Sequence, residues 1–161
     1  MVGTEVERFC GTARRVVAEG HAVGSHTLAH LDHDAVVPAA AVADMLAGAK
    51  ATERVLGFEP VLYRAPYGYF DEATVDEAAR RGWTCVHWSA LGYDWEEEAT
   101  PRSVADQVLA DLSPGAIVLL HDSRRAKPME PEAMIGATAI LLDERERRNL
   151  RAAALTDILS S

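Results

Sequence analysis

The chain has 161 residues, 48% hydrophobic and 25% charged, which is ordinary for one globular domain long enough to bury a real core. Its net charge of −9 argues against nucleic acid or an anionic membrane surface as partner, since both call for a basic patch. No apolar run reaches the length of a membrane span, and two cysteines, Cys10 and Cys85, do not make a disulfide framework.

In chain order, Val6, Phe9, Ala13, Val16 and Val17 form a helical stripe over 5–19, with Gly20 as its C-terminal stop. Ala22-Val23-Gly24 reads as a brief strand leading into Ser25-His26-Thr27-Leu28-Ala29-His30. The helical pattern returns over 38–56 and stops at Gly57. Val61-Leu62-Tyr63 is a short strand running into Arg64-Ala65-Pro66-Tyr67-Gly68. Asp71 caps a helix over about 72–81 that Gly82 closes, and Thr84–Trp88 reads as the next strand. A loop with Asp94-Trp95 follows, then Thr100-Pro101 as N-cap and first residue of a helix burying Val104, Val108, Leu109 and Leu112. Ala116–Leu120 is a fully apolar strand ending at His121-Asp122. A last helix over about 131–147 precedes Leu150–Leu159, read as a final strand and a short helical turn.

Strand–helix alternation predicts an α/β fold with a parallel sheet. His26 and His30, Arg64, Asp94 and His121 each fall just after the end of a predicted strand, the edge that carries active sites in such folds. Two histidines four apart can present both imidazoles on one side of a helical turn, about 5–6 Å apart at Cβ, where they can share a metal. The zinc-peptidase motif needs Glu directly after the first His, and Thr27 stands there. Taken singly, Arg64 is equally an ion-pair partner, Trp95 a rim aromatic and Leu119 core. His21, His33 and His87 are read as ordinary histidines, with His33 as at most a spare metal contact.

As an ordered set, these residues resemble the polysaccharide deacetylases of the NodB-homology type. His26-Thr27-Leu28-Ala29-His30, preceded by Glu19-Gly20-His21, is similar to that family's second motif. Arg64-Ala65-Pro66-Tyr67-Gly68 is similar to the third, Asp94-Trp95 to the fourth, and Leu119-Leu120-His121 to the fifth. The resemblance runs through essentially the whole sequence. It implies one domain over 1–161 with a distorted (β/α) barrel fold. The implied activity is metal-dependent removal of acetyl groups from an N- or O-acetylated glycan or a related small amide.

It also implies a role for each residue. His26 and His30 would hold a divalent metal, zinc first, with cobalt or nickel as alternatives, to polarise the acetyl carbonyl and activate water. The backbone N–H of Tyr67 would stabilise the oxyanion, with Pro66 beside it on the substrate side, and Arg64 would orient the catalytic carboxylate. Trp95 and Leu119 would wall the acetyl methyl, and Thr27 would brace the ligand loop. His121 would protonate the leaving amine, with Asp94 holding its imidazolium.

One departure shapes the functional expectation. The family's first motif, a strand ending in two adjacent aspartates, is absent, and the resemblance assigns to that pair the general base and a third metal ligand. The domain is therefore expected to be incomplete at its N-terminus, lacking the first strand and helix, and to bind metal weakly with little or no turnover. The alternative is a non-catalytic glycan-binding or scaffold protein that kept the cleft and lost the base.

Overall fold

Short parallel strands alternate with helices in the computed structural model, which describes residues 1–122 and 131–159. The chain gathers into two compact units, one formed by Met1–His87 with the C-terminal residues from Ala154 on, the other by Trp88–Ala153.

In the first unit the helix expected over 5–19 is two, α1 (Gly3–Arg8) and α2 (Cys10–Ala18), broken at Phe9 with φ −119° and ψ 45°. The first amides of α1 donate outside the helix, Gly3 to the Thr27 carbonyl (2.8 Å) and Thr4 to that of Leu28 (3.1 Å), which ties the start of α1 to the histidine loop. Helix α3 (Pro38–Leu56) follows the sequence reading closely, with proline at its start and Gly57 at φ 82° as its left-handed stop. It buries Ala41, Met45, Ala49, Ala51 and Thr52.

Strand β1 (Leu62–Tyr63) pairs in parallel with β2 (Thr84–Cys85), in the register Leu62↔Thr84 and Tyr63↔Cys85. On the other side of β1, the strand expected at Ala22–Gly24 is a single parallel bridge between Ser25 and Tyr63. Gly24 allows it, since a Cβ there would lie 2.9 Å from both the Leu62 Cβ and its carbonyl oxygen. Helix α4 (Glu72–Arg80) is capped by Asp71, whose side chain accepts from the Thr74 amide at 3.1 Å. Met45, Ala49, Tyr63, Ala65, Ala78 and Trp83 form the core between these elements. Near the C-terminus only α7 (Leu155–Leu159) is regular; residues 151–154 form no strand.

In the second unit, β3 (Ala90–Leu91) pairs in parallel with β4 (Val118–Leu119). Strand β3 is too short and too ordinary in composition to stand out in the sequence. Strand β4 is shorter than the apolar run suggests and half-buried rather than fully buried. Helix α5 (Pro101–Asp111) opens on a reciprocal cap between Thr100 and Ser103. It buries Val104, Ala105 and Val108, while Leu109 and Leu112 stay half-buried. Val104 and Ala105 pack with Ala137 of α6 (Glu132–Arg147).

The assigned strands thus make two separate two-stranded parallel sheets, one in each unit. Parallel α/β pairing is present: Arg64 follows β1, and Asp94 and His121 lie shortly after β3 and β4, whereas His26 follows only the isolated bridge at Ser25.

Two glycines test the packing in opposite directions. A Cβ on Gly48 would sit 2.1 Å from the Thr27 carbonyl carbon, whereas one on Gly11 meets nothing within 4 Å. Gly48→Ala should lower unfolding free energy by about 1–3 kcal/mol through overpacking. Gly11→Ala, on an exposed helical face, should raise it by about 0.4–1 kcal/mol. Urea midpoints at unchanged slope measure both, and a neutral Gly48→Ala would mean that α3 does not approach the loop this closely.

Candidate functional site

The histidine stretch is not a helical turn. Thr27 (φ 62°) and His30 (φ 53°) are both left-handed, so the loop folds back on itself. The rings meet nonetheless, edge to face with centroids 4.7 Å apart. Tertiary hydrogen bonds create this shape. The Leu28 amide donates to the Asp44 carbonyl (2.9 Å), the Ala29 amide to Asp44 Oδ1 (2.8 Å) and the Leu31 amide to Asp44 Oδ2 (3.4 Å). The remaining amide, that of His30, donates to Thr27 Oγ1 at 2.9 Å, so Thr27 braces the loop as expected. Gly48, one turn along α3 from Asp44, has no Cβ to block this approach.

The third-motif segment sits against the pair. His26 Nδ1 lies 2.8 Å from the Arg64 carbonyl oxygen, which can only accept. Nδ1 therefore carries the ring hydrogen, and Nε2 keeps its lone pair. Burial is the main cause that lowers the His26 imidazole to about 4, so it is neutral at pH 7. Arg64 donates from Nε to the Val86 carbonyl (3.2 Å) and from a terminal nitrogen to that of His87 (3.3 Å), tying the segment after β1 to the one after β2. Pro66–Gly68 form a 3-10 turn with Tyr67 at φ 56° and ψ 5°, and its ring stands edge-on to His30 at 4.8 Å.

As metal ligands the two imidazoles fit as a pair. They converge, and His26 is held in one tautomer by a backbone carbonyl, the outer support usual for ligating histidines. Catalytic zinc takes three protein ligands, and among the described residues no cluster of three or more His, Cys, Asp or Glu could hold a metal. The pair would supply two ligands of such a set.

In the second unit, Asp94 is 2% exposed and grips His121 twice. One carboxylate oxygen accepts from the His121 amide at 2.5 Å and the other from Nδ1 at 2.9 Å. With Nδ1 engaged by Asp94, Nε2 is the ring nitrogen that the carboxylate does not hold. Trp95, 37% exposed, stands edge-on to the His121 ring at 5.1 Å, and Leu119 is half-buried in β4. Tyr93, not singled out in the sequence, lies 5.4 Å from Trp95 ring to ring.

His33, read from the sequence as an ordinary histidine, is unusual in one respect. Its side chain is wholly buried, with Nδ1 3.5 Å from the Tyr63 hydroxyl and 3.6 Å from Asp71 Oδ2, and burial lowers its basicity. A cleft of about 360 Å³ is lined by His33, Asp34, Gly68, Tyr69, Phe70 and Asp71, none of them a residue to which chemistry is assigned. Asp44, Gly48 and Tyr93 are the residues that sequence reasoning passes over. For Asp44 a signal exists, a carboxylate beside Met45 on the buried stripe of a helix.

The first unit carries the converging histidines, and the second a carboxylate-held histidine just after a short parallel strand. The polysaccharide deacetylase family profile matches residues 1–86, and the chain belongs to that family. A chitooligosaccharide deacetylase of Bradyrhizobium sp. (strain ANU 289) is 38% identical over 123 residues, covering 76% of this chain and 56% of the relative. A peptidoglycan-N-acetylglucosamine deacetylase of Bacillus cereus is 30% identical over 161 residues, 99% of this chain and 73% of the relative. The chain thus spans little more than half the length of the first relative. Among solved structures, a peptidoglycan N-acetylglucosamine deacetylase in complex with 4-naphthalen-1-yl-N-oxidanyl-benzamide superposes with TM-score 0.88 at 22% identity, over 97% of this chain and 71% of the other. A CE4 family pseudoenzyme from Bacillus anthracis gives 0.85 at 19% identity, over 98% and 53%. At such identities the structures speak for the fold.

The burial of neutral His33 has a measurable sign. Its folded-state pKa lies below the ordinary 6.5, so the unfolded chain binds the extra proton as pH falls. The stability it contributes is intact above about pH 6.5 and is lost progressively below it. Urea midpoints between pH 7.5 and 5 should fall more steeply for the native chain than for His33→Gln. Parallel curves would refute the assignment.

Proposed function

We propose that this chain is a polysaccharide deacetylase-like hydrolase acting on the acetyl-amide of an N-acetylated glycan, with O-acetyl esters or related small amides as alternatives. The observation that carries the reading is the two-point grip of Asp94 on His121, a built general acid, in a chain that also brings His26 and His30 together.

His26 and His30 hold a divalent metal, zinc by donor type with cobalt or nickel as alternatives. When bound, such an ion supplies Lewis acidity to the acetyl carbonyl and to water. The chain's own groups do the rest. The Tyr67 backbone N–H donates to the developing oxyanion. Arg64 fixes the His26 side of the site through its carbonyl, and by the family resemblance its guanidinium, which donates to the Val86 and His87 carbonyls, would orient the catalytic carboxylate. By the family resemblance, Pro66 in the first unit and Trp95 and Leu119 in the second are each assigned to the substrate's acyl side. His121 gives its proton from Nε2 to the leaving nitrogen, and Asp94 holds the imidazolium before the transfer and keeps the ring oriented. None of the described carboxylates is assigned the role of base.

That last point favours a second reading, in which the chain binds acetylated glycan without turning it over. Acetate release from N-acetylglucosamine oligomers and acetylated xylan, with zinc content measured on the same sample, separates the two. Zinc-dependent acetate release supports the hydrolase. Oligosaccharide binding without acetate release supports the second reading, and neither binding nor release sinks both.

Where turnover is measured, His121→Ala should lower kcat by about 10²–10⁴-fold, the usual contribution of a general acid. Metal content should stay unchanged. Loss of metal in that variant would make His121 a ligand and overturn its role.

A further inference from the structure

We propose that Asp44 is a positioning residue for His30, its buried carboxylate holding the loop in the one conformation that turns the His30 ring onto His26. The inference rests on the reading of these two histidines as metal ligands.

The loop has left-handed backbone at Thr27 and His30, which non-glycine residues adopt only when their surroundings over-determine it. Asp44 supplies most of that determination. Its two carboxylate oxygens accept from the amides on either side of His30, at Ala29 and Leu31, and its carbonyl accepts from Leu28. A carboxylate is acceptor-only, so both oxygens can face N–H donors without conflict. The residue is 7% exposed, which leaves little water to replace a lost bond. Asparagine would keep the stronger bond to Ala29 and lose only the longer one to Leu31. Alanine would leave both amides without an acceptor and release His30 from its left-handed conformation.

A residue that merely tied α3 to the loop for stability would not act through His30 in particular, and a double-mutant cycle separates the cases. Zn²⁺ affinity is measured by competition with a chromophoric chelator for the native chain, Asp44→Asn and Asp44→Ala, each with and without His30→Ala. In the His30 background, Asp44→Ala should weaken Zn²⁺ binding about 10–100-fold, as for other supports of metal ligands, and Asp44→Asn should stay within about threefold. Once His30→Ala is present, Asp44→Ala should have no further effect. Equal weakening in both backgrounds, or none in either, overturns the proposal.

A metal-free arm separates this inference from the ligand reading. Ring-to-ring NMR contacts between His26 and His30 should be present in the native chain and Asp44→Asn and absent in Asp44→Ala. If the native chain binds no Zn²⁺ but the contacts follow that pattern, the ligand reading fails and the positioning role stands. Contacts that persist in Asp44→Ala overturn the positioning role. Should Asp44→Ala not fold, Asp44→Ser, too short to reach both amides, takes its place with the same outcomes.

Discussion

The contact between α3 and the histidine loop governs the first unit. At Gly48 the helix backbone comes so close to Thr27 that no side chain fits between them. Through that contact, Asp44 meets three of the loop's four amides. The same loop receives the first amides of α1 on its carbonyls at Thr27 and Leu28. A short irregular segment, which would otherwise carry several unsatisfied polar groups into the interior, thereby has amides and carbonyls paired from both sides. His26 and His30 face each other because nearly every backbone bond around them has been assigned elsewhere.

The second unit solves a related problem with fewer parts. A two-residue parallel pair, β3 with β4, brings two strand ends into register, and Asp94 and His121 follow those ends. Gly92 makes room for Leu120 and Val104, which would lie 2.6 and 2.9 Å from a Cβ there. Chemistry is placed by where strands stop, as usual in parallel α/β proteins.

How much of this is legible in the sequence depends on how local its cause is. Helices with chemical punctuation can be read closely. Pro38 and Gly57 bracket α3, Asp71 and Gly82 bracket α4, and Thr100-Pro101 opens α5. Each signal acts within one turn of the residue that carries it. The left-handed Thr27 and His30 are not legible, because Asp44, distant in sequence, holds the loop that contains them; the split at Phe9 carries no local signal either. The strands at Leu62–Tyr63, Thr84–Cys85 and Val118–Leu119 fall within the expected runs but are shorter, and that at Ala22–Gly24 is reduced to a bridge, since an apolar run reports burial and not how many residues find a ladder partner. The candidate site divides the same way. The histidines, Arg64, Asp94 and His121 stand out by residue type and spacing, while Asp44 and Gly48 matter only through contacts that no window on the sequence contains.

The double grip of Asp94 has one more consequence. A histidine at the end of a strand ordinarily turns about χ1 and χ2, and freezing such a side chain on binding costs about 0.5–1.5 kcal/mol. Here the backbone amide and the ring of His121 share one buried carboxylate, so that rotational entropy is surrendered when the chain folds. A ligand arriving at this imidazole meets a group already stationary, and the tautomer is set before encounter. The penalty falls on folding, once, and not on every association.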